Sequence, residues 1–240
     1  MIPIKNGTGL SNKSYINTGL EIMGINYNNI KWNNKKTIIG ETELNVLDPI
    51  NLLVGFHGAD STPENLLIYA NKLQLKNALL VFPEGPIDAG KGLWSWWKDG
   101  PRQSETVSAF VEYLSSMLKE AYKHIDLALP GANIRTCLWG FSQGGAASLA
   151  YALLGSQSLH KVASICGFLP ELSNTNTPTN TPVDILGIYG ANDAVVPSFL
   201  AEYALEEIKN RGHKVTMKET PQGHEITEGN LHDLGIFFNS

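Results

Sequence analysis

One hydroxyl stands out for its setting: in Gly140-Phe141-Ser142-Gln143-Gly144, a serine lies between two glycines, with an apolar run before it and a small-residue run after it. A serine hydroxyl is a weak nucleophile until a neighbouring base takes its proton, and its use would then be attack on a carbonyl carbon. The surroundings suit that chemistry. Ile134 to Trp139 reads as a buried strand, and Ser148 to Leu154, with alanines at 146, 147, 150 and 152, reads as a closely packed helix. A sharp strand-to-helix turn strains the serine backbone and lifts its hydroxyl over the sheet end, and it leaves no room for side chains at the flanking glycines. The free N–H groups and positive dipole end of the following helix favour negative charge developing on a substrate oxygen.

A nucleophile needs a base and an acid from elsewhere in the chain, delivered to the same edge. Val183 to Tyr189 reads as a strand, and Asp193 comes just past its end. Lys214 to Lys218 reads as another, and the loop Pro221-Gln222-Gly223-His224-Glu225-Ile226 follows it. Asp184, at the start of its strand, and His213, before its strand, fall at the opposite end of the sheet, while His232 belongs to the surface of a terminal helix. Ser142, Asp193 and His224 therefore form the expected nucleophile, acid and base. The strand Asn51 to Phe56 delivers His57-Gly58-Ala59-Asp60 to the same edge, ahead of a helix opened by Pro63. The backbone N–H groups of Ala59 and Gln143 are the expected oxyanion donors, and His57 is read as loop support rather than as the base. Ala78 to Phe82 is the next strand. The long loop from Pro83 to Pro101 carries Trp94, Trp96 and Trp97, read here as an apolar wall for an acyl or alkyl group.

The elements that position these residues alternate strand and helix from residue 51 onward, and the crossover rules then give a mainly parallel sheet with helices on both faces. The periodic apolar residues from Val107 to Ile125 mark a long amphipathic helix belonging to the core. Residues 1–50, rich in Asn, Gly and Thr, read as turns and edge strands, with a disordered first dozen. The expected organisation is one domain over 1–240, with its catalytic core at 51–240. Gly167 to Pro182 reads as a flexible loop too short for a separate lid domain. With 42% hydrophobic residues, 17% charged residues and a formal net charge of -5, the chain lacks the basic excess that nucleic acid or an anionic membrane surface requires. Cys137 and Cys166 lie in apolar runs outside any metal-binding spacing and read as buried free thiols. No stretch approaches bilayer length, and Met1 to Gly7 lacks a charged segment leading into an apolar one, so the expected location is the cytoplasm.

Four segments in order, Phe56-His57-Gly58-Ala59-Asp60, Gly140-Phe141-Ser142-Gln143-Gly144-Gly145, Gly190 to Pro197 and Gly223-His224-Glu225-Ile226, resemble the carboxylesterase/phospholipase family that includes the acyl-protein thioesterases. The resemblance covers about residues 50–236. It implies an α/β-hydrolase fold and a serine hydrolase of carboxylic esters or thioesters that uses no cofactor or metal and acts on small molecules as a monomer or homodimer. It also implies that Ser142, Asp193 and His224 are the triad, with Ala59 and Gln143 at the oxyanion-hole positions. The chain departs from the family in a loop one residue shorter after His57 and in Lys98 within Trp97-Lys98-Asp99. Lysophospholipase or acyl-protein thioesterase activity, a non-catalytic hydrolase-fold binding protein, and a peptidase or dienelactone-type enzyme are the alternatives. The last would favour Cys at position 142.

Overall fold

In the computed structural model, which describes residues 16–22, 25–172 and 181–240, one nine-stranded sheet carries the chain. Strands β1 (Ile16–Ile22), β2 (Ile25–Trp32) and β3 (Lys35–Glu41) form an antiparallel meander along one edge. Beyond it run β4 (Ile50–Phe56), β5 (Ala78–Pro83), a small antiparallel ribbon of β6 (Ile87–Gly90) and β7 (Leu93–Ser95), β8 (Ile134–Phe141), β9 (Lys161–Ile165), β10 (Asp184–Gly190) and β11 (Lys214–Thr220). Apart from the ribbon, these are parallel to one another, in the spatial order β1-β2-β3-β5-β4-β8-β9-β10-β11. The strands expected from residue 51 onward are all present, with ends shifted by a residue or two. The ribbon is new, because its short polar turn at Asp88 to Gly92 hides the pairing from any apolar pattern. The expected disorder of the first dozen residues falls outside the described residues, as do positions 173–180 of the loop read between Gly167 and Pro182.

Helices cover both faces, as buried parallel strands require. On one side lie α2 (Gln103–Ala128), α3 (Gln143–Leu154) and α4 (Ser198–Asn210), whose apolar faces join Leu52, Val54, Leu138 and Val162 of the sheet. On the other, α1 (Glu64–Ala70) and α5 (Glu228–Asn239) bury Leu66, Leu67, Leu231, Leu234 and Phe238 against Leu53, Leu80, Cys137 and Ile188. Helix α3 starts directly after Ser142 and is buried from Gln143 to Leu153, so its alanines are the spacing that lets a helix lie flat on the middle of a sheet.

Two glycines make that start possible. A Cβ on Gly144 would stand 2.0 Å from the carbonyl oxygen of Phe56, and one on Gly140 would stand 2.3 Å from Gly144 backbone. The offending atoms are main chain and cannot swing away. Gly58, by contrast, has its nearest neighbours at 3.8 Å. Gly144→Ala should therefore cost about 3 kcal/mol or more, or give no folded protein, whereas Gly58→Ala should stay within about 0.5 kcal/mol of the parent in urea denaturation.

Candidate active site

Ser142 sits at the turn between β8 and α3 with φ 57° and ψ -123°. A side chain in that region is strained, and the strain persists only where the surroundings hold it. Here the Ser142 N–H donates to the Ile165 carbonyl at 2.9 Å, and its own carbonyl accepts from the Ala146 N–H at 2.9 Å. Sheet and helix grip the residue from both sides.

His224 and Asp193 arrive on the loops after β11 and β10, as their places in the sequence predict. His224 Nδ1 lies 2.8 Å from Asp193 Oδ2, and His224 Nε2 lies 3.0 Å from Ser142 Oγ. The other oxygen, Asp193 Oδ1, accepts the N–H groups of Val195 and Val196, each at 2.8 Å. Burial pushes the Asp193 carboxyl up, but hydrogen bonds from His224, Val196 and Val195 outweigh it and hold the group below its ordinary value. An ionised carboxylate only accepts, so the proton between the two residues belongs to Nδ1. That leaves the Nε2 lone pair facing the serine hydroxyl.

The rejected candidates fall elsewhere. Asp184 is paired with Lys214 at the start of β10, His213 Nδ1 accepts the Val183 N–H beside it, and His232 is exposed on α5. His57 is fully buried after β4, with Nδ1 2.7 Å from the Gly58 carbonyl and its ring 4.7 Å from that of Trp96. Its Nε2 has no hydrogen-bond partner among the described residues. Gly58 lies 3.8 Å from the Ser142 Cβ measured from its own added Cβ, so the loop does run beside the serine, and Ala59 is exposed on it.

Two of the three tryptophans read as a substrate wall lie in the core. Trp96 and Trp97 are 0% and 1% exposed and stand edge-on to Phe110, and Trp96 also to Phe56, inside the core. Apolar area concentrated near an active edge can face the core as well as a substrate, and composition does not distinguish the two. Trp94 is half-buried, with Lys35 Nζ 3.8 Å above its ring. What the segment does is brace the His57 loop. Trp96 Nε1 donates to the His57 carbonyl at 2.7 Å, Ser95 Oγ accepts from Asp60 N–H and donates to Asp60 Oδ1, and Ser61 and Trp94 exchange backbone hydrogen bonds. The side chain of Gln143 completes the frame, its Oε1 accepting the Trp96 N–H at 2.9 Å and its Nε2 donating to the Trp97 carbonyl at 3.3 Å. Sequence reasoning used Gln143 only for its backbone. The sequence shows an amide directly after the serine, and only the structure shows it buried.

Cys166, at φ 50° just past β9, is a buried free thiol behind this group, as Cys137 is within β8. Burial and the Asp193 charge push the Cys166 thiol up to about 12. Among the described residues, Cys166, Asp193 and His224 could hold a metal, with ligand atoms all within 4.8 Å. A cation there would have to displace the thiol proton and break the His224–Asp193 bond.

With this geometry in place, the comparisons with known proteins can be read. The phospholipase/carboxylesterase family model matches residues 45–240. The chain belongs to this family. A probable carboxylesterase of Oryza sativa subsp. japonica is 29% identical over 166 residues, 63% of this chain and 60% of that protein. The carboxylesterase SOBER1 of Arabidopsis thaliana is 29% identical over 199 residues, covering 75% and 85%, and acyl-protein thioesterase 1 of Gibberella zeae is 26% identical over 196 residues, covering 75% and 83%. Among solved structures, Arabidopsis thaliana SOBER1 superposes with a TM-score of 0.68 at 21% identity, over 78% of this chain and 97% of that one. The Bacillus cereus carboxylesterase gives 0.70 at 19%, over 85% and 93%. The fold is the α/β-hydrolase fold that the sequence resemblance implies, and the family is one of ester- and thioester-cleaving hydrolases.

Two expectations follow from the environments of these side chains. Trp96→Ala and Trp97→Ala should each lower stability by about 3–5 kcal/mol, as emptied core sites do, and should not shift acyl-chain preference, which kcat/KM across a chain-length series will read. His57 is held by burial at about 4, against an ordinary 6.5. The unfolded chain takes up this proton first as the medium is acidified. The neutral form's stability is therefore complete above pH 6.5 and is lost as pH falls toward 4. The displacement corresponds to about 3 kcal/mol, which should separate the acid unfolding curves of the parent and His57→Gln.

Proposed function

We propose that this protein is a serine hydrolase that cleaves carboxylic esters or thioesters of small to medium acyl chains through an acyl-enzyme. The observation that carries the reading is the unbroken hydrogen-bond chain from Asp193 Oδ2 through His224 to Ser142 Oγ, at 2.8 and 3.0 Å. In this reaction, Ser142 Oγ attacks the carbonyl carbon as His224 Nε2 accepts its proton. Asp193 holds the imidazole in the right tautomer and stabilises its charged form. The carbonyl oxygen becomes an oxyanion, held by the N–H groups of Ala59 and Gln143. The bond to the alkoxide or thiolate leaving group then breaks, and that group departs with the proton from His224. Water repeats the sequence on the acyl-enzyme, with His224 as base, releasing the acid and restoring the serine.

The names borne by the relatives support two substrate classes, esters and thioesters, and lysophospholipids or acylated proteins are the alternative substrates. The reaction as written draws on side chains and backbone alone, without a cofactor or metal. No helix among the described residues is long and apolar enough to cross a membrane, which suits a substrate met in water, and the cytoplasm is the proposed location.

A fluorophosphonate probe should label Ser142 and no other residue, because it requires a base-activated hydroxyl. Ser142→Ala should lose roughly 10⁴- to 10⁶-fold in kcat, and Asp193→Asn roughly 10³- to 10⁴-fold. His57→Gln should cost clearly less. Rates on aryl esters, thioesters and lysolipids of graded chain length will check the substrate class. Labelling that survives Ser142→Ala would overturn the assignment, and no turnover across the panel would favour a binding protein.

A further inference from the structure

His224 stands on a six-residue loop, Pro221 to Ile226, and its imidazole must meet Ser142 on one side and Asp193 on the other. The loop's backbone is tied down at its start, where Gln222 O accepts from Asn192 N–H at 3.1 Å and Pro221 O accepts from Asn192 Nδ2 at 3.1 Å. Those bonds fix the entry to the loop and leave the histidine itself two residues beyond the anchor. Further constraint comes from an unexpected direction.

The side chain of Gln222 turns inward and is 6% exposed. Its Nε2 donates to the Glu225 carbonyl at 2.8 Å, closing a bridge from residue 222 to residue 225 across His224, and the same nitrogen lies 3.6 Å from Cys166 Sγ. Its Oε1 accepts from Asn230 Nδ2 at 2.8 Å. Asn230 is 1% exposed and belongs to the first turn of α5. Its two amide atoms do different work. Oδ1 accepts the Thr227 N–H at 2.9 Å, one half of a capping box whose other half is the Asn230 N–H donating to Thr227 Oγ1 at 3.2 Å. Nδ2 is spent on Gln222. Capping alone needs an acceptor at this position, which a carboxylate supplies as well as an amide, so the donor atom has another purpose.

We infer that Gln222 and Asn230 form a buried amide strap that carries the rigidity of α5 across the histidine loop and sets the His224 ring against Ser142. Both are positioning residues, acting through His224 without touching substrate. The physical argument is orientation: each amide is buried, each of its ends faces a partner of the opposite kind, and turning either one over would place two acceptors or two donors face to face. The loop is therefore held in one conformation. A base displaced by about 1 Å from its nucleophile can cost on the order of 10²-fold in rate, so a strap of this kind matters to turnover far more than to substrate binding. The inference rests on the serine-hydrolase reading above for its effect on rate, and on geometry alone for its effect on the histidine.

Three variants separate the strap from the cap. Asn230→Asp keeps the acceptor that caps α5 and replaces the strap donor with an oxygen facing Gln222 Oε1. Thr227→Ala removes the cap hydroxyl and leaves the strap. Gln222→Met keeps length and burial but has no amide, and it serves if a carboxylate at 230 does not fold. For each, kcat and KM on an aryl ester, the melting temperature, and the low-field proton resonance of the His224–Asp193 hydrogen bond are measured. The strap predicts that Asn230→Asp and Gln222→Met lower kcat roughly 10- to 100-fold with KM little changed and weaken the low-field resonance. Thr227→Ala should lower the melting temperature while keeping kcat and the resonance. Wild-type kcat and resonance in both strap variants would overturn the inference, as would an equal kcat loss in Thr227→Ala. Should Ser142→Ala show that the reaction reading is wrong, the resonance still decides the strap, since it reports the histidine whatever the chemistry.

Discussion

The arrangement depends on one close approach, the seating of the first turn of α3 against the end of β4. Gly144 lies so near the Phe56 carbonyl that a single methyl group would overlap it. Because α3 is forced down onto the sheet there, the residue before it must take a left-handed backbone, and Ser142 does so at φ 57°. The strain is offset by the hydrogen bond Ser142 donates to β9, by the one it accepts from Ala146 of its own helix, and by the burial of that helix from Gln143 to Leu153. The hydroxyl emerges at the carboxyl edge of the parallel strands, where the loops after β4, β10 and β11 also end. In doubly wound sheets that edge is where ligands bind.

Two ionisable side chains close to this point are treated in opposite ways. Asp193 is 7% exposed but surrounded by donors, from His224 and two backbone N–H groups, and burial with donors supports a charge. His57 is buried against Trp96 with one nitrogen satisfied by a carbonyl and the other without an acceptor among the described residues, and burial without acceptors suppresses a charge. Histidine as a residue type did not decide which of the two near Ser142 would be its partner. The hydrogen-bond partners on the far side of each ring did.

The segment from β6 to Trp97 shows how a region of strong sequence character can brace the loops of a site from the core. The rings of Trp96 and Trp97 fill the core beside α2, and the segment's polar atoms hold the loop that carries Ala59. Gln143 joins this frame to the serine turn from the other side. The proposed oxyanion donors thus belong to two pieces of chain pinned to a common third piece, a sound way to hold two N–H groups at a constant separation.

By itself, the sequence determined where the core strands lie and that they run mainly parallel, the turn that carries Ser142, and the edge at which Asp193 and His224 arrive. These follow from local patterns, because apolar runs bounded by turns mark strands, intervening helices make consecutive strands parallel, and a residue just past a strand end has only one place to go. Before the core the sequence reads as turns and edge strands, yet of β1 to β3 only β1 lies at the edge of the sheet, since pairing partners are not encoded in a strand's own alternation. Tertiary structure alone decided the rest. The inward facing of Trp96 and Trp97, the bridging by the Gln143 amide, and the link from Asn230 to Gln222 depend on which surface each side chain meets. Contacts between residues such as 96 and 143, or 222 and 230, arise from packing of elements already formed, and an aromatic ring or an amide reads the same in sequence whether it faces a core, a ligand or water.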